Sequence, residues 1–133
     1  VRELRYGIDS QEVVLRFGDE PPHFRRAAVD LWVDRAGLDG GDEAAAGLAA
    51  ELRVLVEREA AGTYRAVLDG VATRPGHTRL VDRPVLELAV GLSLLGASAG
   101  DRVRLRVRLE EDGRGQETVP ARGALTLSVP ASA

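Results

Sequence analysis

From Arg102 to Leu109 the chain reads Arg-Val-Arg-Leu-Arg-Val-Arg-Leu, an unbroken alternation of guanidinium and aliphatic side chains. Successive side chains of an extended strand point to opposite faces, so this segment is a strand with Val103, Leu105, Val107 and Leu109 on one side. A helix would scatter both classes around its circumference and leave no apolar stripe to bury. The same period of two recurs along the chain. Leu4, Tyr6 and Ile8 share one face, and Val13, Leu15 and Phe17 repeat the pattern after an Asp9-Ser10 turn, which predicts an opening hairpin. Val29, Leu31 and Val33 predict a third strand whose other face carries Asp30, Trp32 and Asp34. Leu52, Val54 and Val56 form the next, with Ala60-Ala61-Gly62 turning the chain into a strand over Thr63 to Asp69. Further strands are expected near Val71 and near Arg79, divided by Pro75-Gly76, then over Val85 to Val90. Asp112-Gly113 reads as a hairpin turn, and Leu125, Leu127 and Val129 make a last strand stopped by Pro130.

Interruptions of the period mark the connections. Pro21-Pro22 cannot donate to a ladder, which predicts a loop from Gly18 to Arg26. Gly37 to Ala50 is expected as a glycine-broken loop or one helical turn, and Gly91 to Gly96 as a short turn or helical cap. Eight or more short strands with no long helical period give an all-β fold, a two-sheet antiparallel β-sandwich, immunoglobulin-like or jelly-roll-like. At 133 residues, a single domain over 1–133 is expected.

Composition narrows the classes of function. The chain is 44% hydrophobic and 29% charged, as globular domains are. With no Met present, we expect a module excised from a longer multidomain protein. Absence of Cys removes disulfides and thiolate metal sites. No run of about 18 apolar residues occurs, and the charged start does not read as a signal peptide. The expected location is therefore cytoplasmic, with secretion as the alternative. All 18 basic residues are Arg, which points to a GC-rich bacterial coding bias. A net charge of -3 gives no overall attraction for nucleic acid or a membrane surface.

No catalytic residues, cofactor or metal site are expected. His23 lies beside prolines and His77 in a Pro-Gly turn, and neither has a ligand spacing. No Gly-x-Ser-x-Gly elbow or phosphate-binding Gly-Lys-Ser/Thr ending is present. Asp39, Asp42 and Glu43 do not match an EF-hand loop and read as a solvated acidic turn. The acidic residues sit on strand faces and in turns, where they serve solubility rather than paired-carboxylate glycoside hydrolysis.

Two surface features stand out. Arg102, Arg104, Arg106 and Arg108 form a stripe whose planar donor forks suit phosphate or an acidic polysaccharide. The competing reading is neutralisation by cross-strand glutamates, for which Glu51, Glu57, Glu59 and Glu87 are placed. The second feature is Trp32 between Asp30 and Asp34. An aromatic plate flanked by carboxylates suits the C–H face and hydroxyls of a pyranose, whereas a lone Trp also packs structurally.

Pro84 to Val90, Leu94-Leu95-Gly96 and Gly100-Asp101-Arg102-Val103 together resemble a known pattern. It is that of the C-terminal β-sandwich domains of bacterial family 57 glycoside hydrolases and glucodextranase, akin to DOMON domains and family 9 carbohydrate-binding modules. Glu117 to Pro120, Gly123 to Leu127 and the opening Leu4–Asp9 and Val13–Phe17 segments are similar to the same pattern. The chain departs from it at Gly91 and Val119, where the family carries a proline and an aromatic. The resemblance implies a non-catalytic accessory domain of a carbohydrate-active enzyme, binding α-glucan polysaccharide weakly or stabilising its catalytic domain. Trp32, Asp30 and Asp34 are then the first sugar-contact candidates and the arginine stripe the second. A purely structural or protein-interaction module is the alternative.

Overall fold

The computed structural model describes residues 4–18, 24–34, 52–60, 62–69, 76–81, 85–111, 115–120 and 123–130. Within them the chain forms strands β1 (Leu4–Ile8), β2 (Glu12–Phe17), β3 (Phe24–Asp34), β4 (Leu52–Arg58) and β5 (Tyr64–Asp69). These are followed by β6 (Thr78–Val81), β7 (Glu87–Gly91), one helical turn α1 (Leu92–Leu95), β8 (Arg102–Glu111), β9 (Gly115–Val119) and β10 (Leu125–Ser128). A four-stranded sheet has the order β1-β2-β7-β6, and a six-stranded sheet has the order β10-β8-β3-β4-β5. β9 pairs with the second half of β8, along the edge whose first half pairs with β10. Every pairing is antiparallel. The protein is an all-β sandwich.

The alternation that builds the strands also builds the core. Val13, Leu15, Phe17, Leu88 and Val90 of the smaller sheet are buried, as are Val29, Leu31, Val54, Val56, Val103, Leu105, Val107 and Leu109 of the larger. All belong to one hydrophobic cluster. Each such side chain contributes about 1.5–3 kcal/mol by leaving water. The Gly91–Gly96 break is the helical turn α1, which buries Leu92, Leu94 and Leu95 and ends at Gly96 with φ of 65°. That left-handed conformation suits glycine, and its N–H donates to the Ser93 carbonyl at 3.2 Å.

Some boundaries depart from the sequence reading: β7 runs Glu87–Gly91 rather than Val85 to Val90, β10 ends at Ser128 rather than Val129, and β3 starts early. The loop predicted through Arg26 ends earlier, because β3 starts at Phe24. A register shift between Phe24 and Arg26 breaks the period of two at this point. Phe24 thereby turns inward three residues before Ala27 and is 1% exposed. Its ring lies 5.4 Å from Phe17 and 5.0 Å from Tyr64, centroid to centroid. The Tyr64 hydroxyl donates to the Phe24 carbonyl at 2.6 Å, tying edge strand β5 to the start of β3. The strand expected near Val71, the helical turn within Gly37–Ala50, the acidic group Asp39, Asp42 and Glu43, and His23 lie outside the described residues.

Two local features carry expected outcomes. In the β1–β2 turn, Asp9 Oδ1 accepts the Gln11 N–H at 2.7 Å and the Glu12 N–H at 2.8 Å. These two backbone donors hold the Asp9 carboxyl below its ordinary value of 3.8. Its stabilising contribution is present above the unfolded-state value and is lost as pH falls through the lower folded one. An NMR titration should therefore place the Asp9 midpoint below 3.8, and an ordinary midpoint would show that the turn is open.

Gly76 is the second. A Cβ there would lie 2.6 Å from Leu94 Cγ and Ser93 Oγ and 2.9 Å from the Leu94 backbone nitrogen. Gly76→Ala must push the entry to β6 away from α1, at a cost of about 2 kcal/mol in urea unfolding. An unchanged midpoint would mean that this contact does not exist.

Candidate functional site

All seven residues singled out in the sequence come together on the outer face of the six-stranded sheet. β3 and β8 are neighbours there, with Asp34 opposite Arg102, Trp32 opposite Arg104, Asp30 opposite Arg106 and Ala28 opposite Arg108. The inward residues of both strands fill the core, so the polar set is forced outward. β4 flanks the other side of β3 and sets Arg53 opposite Asp30.

Two aspartates organise the face. Asp30 is 1% exposed. Its Oδ1 accepts from Arg53 Nε at 2.6 Å and its Oδ2 from Arg53 Nη2 at 3.4 Å, a two-point fork. The same Oδ2 lies 3.4 Å from Arg108 Nη2 and 4.0 Å from Arg106 Nη2. Asp34 serves the other end, where its Oδ2 takes Arg104 Nη2 at 2.9 Å and Arg102 Nη2 at 3.0 Å. Removing a carboxylate from water costs several kcal/mol, which Asp30 recovers only through this ring of guanidinium groups.

The neutralising partners are thus Asp30 and Asp34 of β3, not the glutamates expected from their strand positions. Glu87 pairs instead with Arg16 at 3.1 Å in the other sheet, and Glu57 with Arg26 at 3.4 Å. Glu51 lies outside the described residues. The reason is register. Carboxylates directly beside β8 win over those a strand away, and only the sheet order shows which strand that is.

Trp32 lies on this outer face, as its place in the alternation requires, yet it is only 4% exposed. The Arg106 guanidinium carbon sits 5.4 Å from the ring centroid, a cation–π geometry. Arg104 beside it is also 4% exposed. The face therefore has a closed half, made of Trp32, Asp30 and Arg104, and an open half. In the open half the side-chain exposures of Arg102, Arg106 and Arg108 are 48%, 26% and 39%.

The outer face of the four-stranded sheet holds a smaller polar group that the sequence did not single out. Glu12 accepts from Arg79 Nη2 at 2.8 Å and lies 3.2 Å from His77 Nε2. A Cβ on neighbouring Gly91 would meet the His77 ring at 3.1 Å, so the glycine makes room for the imidazole. Its carriers belong to β2, β6 and the segment before β6, which only the β2-β7-β6 order brings within reach. Among the described residues no group of three His, Asp or Glu side chains is arranged to hold a metal ion. No helix among them is long and apolar enough to cross a membrane.

Comparison with known proteins gives no matching family model and no matching curated protein.

Proposed function

We propose that the chain is a non-catalytic accessory sandwich that works by docking through its surfaces, in the service of the catalytic domain of a carbohydrate-active enzyme. The observation that carries this is the state of Trp32. A plate for stacking a neutral sugar must be open, and this ring is 4% exposed with Arg106 laid over it. The flanking carboxylates are equally committed, Asp30 to Arg53 and Asp34 to Arg102 and Arg104. Groups that a glucan-binding platform would offer to ligand are spent here on fastening β3 to β4 and β8. The accessory role and the nature of the partner rest on the resemblance of the Pro84 to Val103 segments to glycoside hydrolase C-terminal domains, which is a reading of the sequence.

The test uses the only tryptophan as its reporter. Emission from Trp32 should stay unchanged, to within a few per cent, on adding maltooligosaccharides or glycogen. A saturable shift with either would restore Trp32, Asp30 and Asp34 as a sugar subsite and overturn the docking reading.

A further inference from the structure

We propose that the open half of the arginine face, centred on Arg106 and Arg108, is a binding site for an acidic polysaccharide bearing carboxylate or sulfate groups. The inference does not depend on the accessory role, since it concerns charge that the fold leaves under-neutralised.

Asp30 carries one negative charge and is shared by Arg53, Arg106 and Arg108. Its Oδ1 is taken by Arg53 Nε at 2.6 Å, so the other two meet only Oδ2, at 4.0 and 3.4 Å. Those are ion-pair distances, long for hydrogen bonds. Arg106 Nε and Arg108 Nε have no hydrogen-bond partner among the described residues. The residues directly across from Arg108, Ala28 on β3 and Thr118 on β9, are not acidic. Both side chains keep solvent contact, with exposures of 26% and 39%. The two Nε atoms are themselves buried, so an oxyanion would meet the accessible remainder of each side chain and add the negative charge that the shared Asp30 does not supply.

The shape of the site favours a polymer. Alternate residues of a strand are roughly 6.6 Å apart, so Arg106 and Arg108 stand side by side and Arg102 lies about 13 Å beyond Arg106 on the same straight line, with the buried Arg104 between. Hydroxyl side chains run beside it, with Ser128 opposite Arg102, Thr126 opposite Arg104 and Thr118 opposite Arg108. A chain with one charge per repeat and free hydroxyls can engage several of these groups at once and gains by multivalency. Single-stranded nucleic acid fits less well, because its bases need an open aromatic ring and Trp32 is buried.

The experiment is a calorimetric titration of the whole chain at low salt with polygalacturonate, dextran sulfate, neutral dextran, inorganic phosphate and a single-stranded DNA oligomer. The two acidic polysaccharides should bind and weaken steeply with added salt, while neutral dextran gives no heat. Phosphate and DNA should each bind at least tenfold more weakly per site. Arg106→Gln with Arg108→Gln should cost at least tenfold in affinity. Thr118→Asp, which leaves both arginines in place and sets a carboxylate beside Arg108, should cost as much and serves as the readout if the double variant fails to fold. Unchanged affinity in Thr118→Asp, DNA binding as tight as the polysaccharides, tight phosphate binding without polymer binding, or no binding of either polymer would each overturn the proposal.

Discussion

Replacing Asp30 by Ala should lower the stability of the fold by about 3 kcal/mol, the largest effect expected of any polar substitution on this surface. The side chain is 1% exposed and is the common acceptor for Arg53, Arg106 and Arg108. Deleting it removes the one carboxylate that the three cations share. The value falls at the low end for a broken buried pair because all three cations can still turn towards water. Arg53→Ala, by contrast, should cost about 1 kcal/mol, the usual worth of a hydrogen bond at a half-exposed group. Asp30 then keeps Arg106 and Arg108, and mutual repulsion is relieved. Urea unfolding of both variants, with unchanged slope, gives the comparison. Equal losses would show that the Arg53 fork alone holds Asp30. A loss under about 1 kcal/mol for Asp30→Ala would show that the carboxylate is hydrated.

Trp32→Ala should cost at least as much, about 3–5 kcal/mol. The ring is buried on the sheet's outer face and carries the Arg106 guanidinium above it. Its removal opens a cavity and also takes away the surface on which that arginine rests, adding about 1 kcal/mol from the lost cation–π contact. Trp32→Phe keeps a ring and should recover more than half of the loss. A Trp32→Ala variant as stable as the parent chain would mean that the ring is held for a ligand rather than for the fold.

Most of the sandwich was readable because a period of two needs no knowledge of distant residues. Val103 to Leu109 declares its inward face from its own seven-residue stretch, and the same holds for Val13 to Phe17. The start of β3 was not readable, since the irregularity between Phe24 and Arg26 removes the alternation that would have extended the strand backwards. The candidate site was legible by halves. That Asp30, Trp32 and Asp34 share a face, and that the four arginines share one, follows from each strand alone. That the two sets touch does not. β3 and β8 are separated by some 70 residues, and nothing local makes them neighbours; the pairing of Arg104 with Asp34 spans 70 positions. The glutamates were the wrong partners for that reason. The burial of Trp32 agrees with the structural alternative for a lone Trp, although alternation assigns a residue to an outer face without saying how open that face is.

The ion-paired platform around a buried Trp32 is most directly tested by acrylamide quenching of the single tryptophan in the folded chain. A blue-shifted emission and a quenching constant several-fold below that of the urea-unfolded chain are expected. Red-shifted emission, quenched as readily as in urea, would contradict the platform and leave the ring free to meet a ligand.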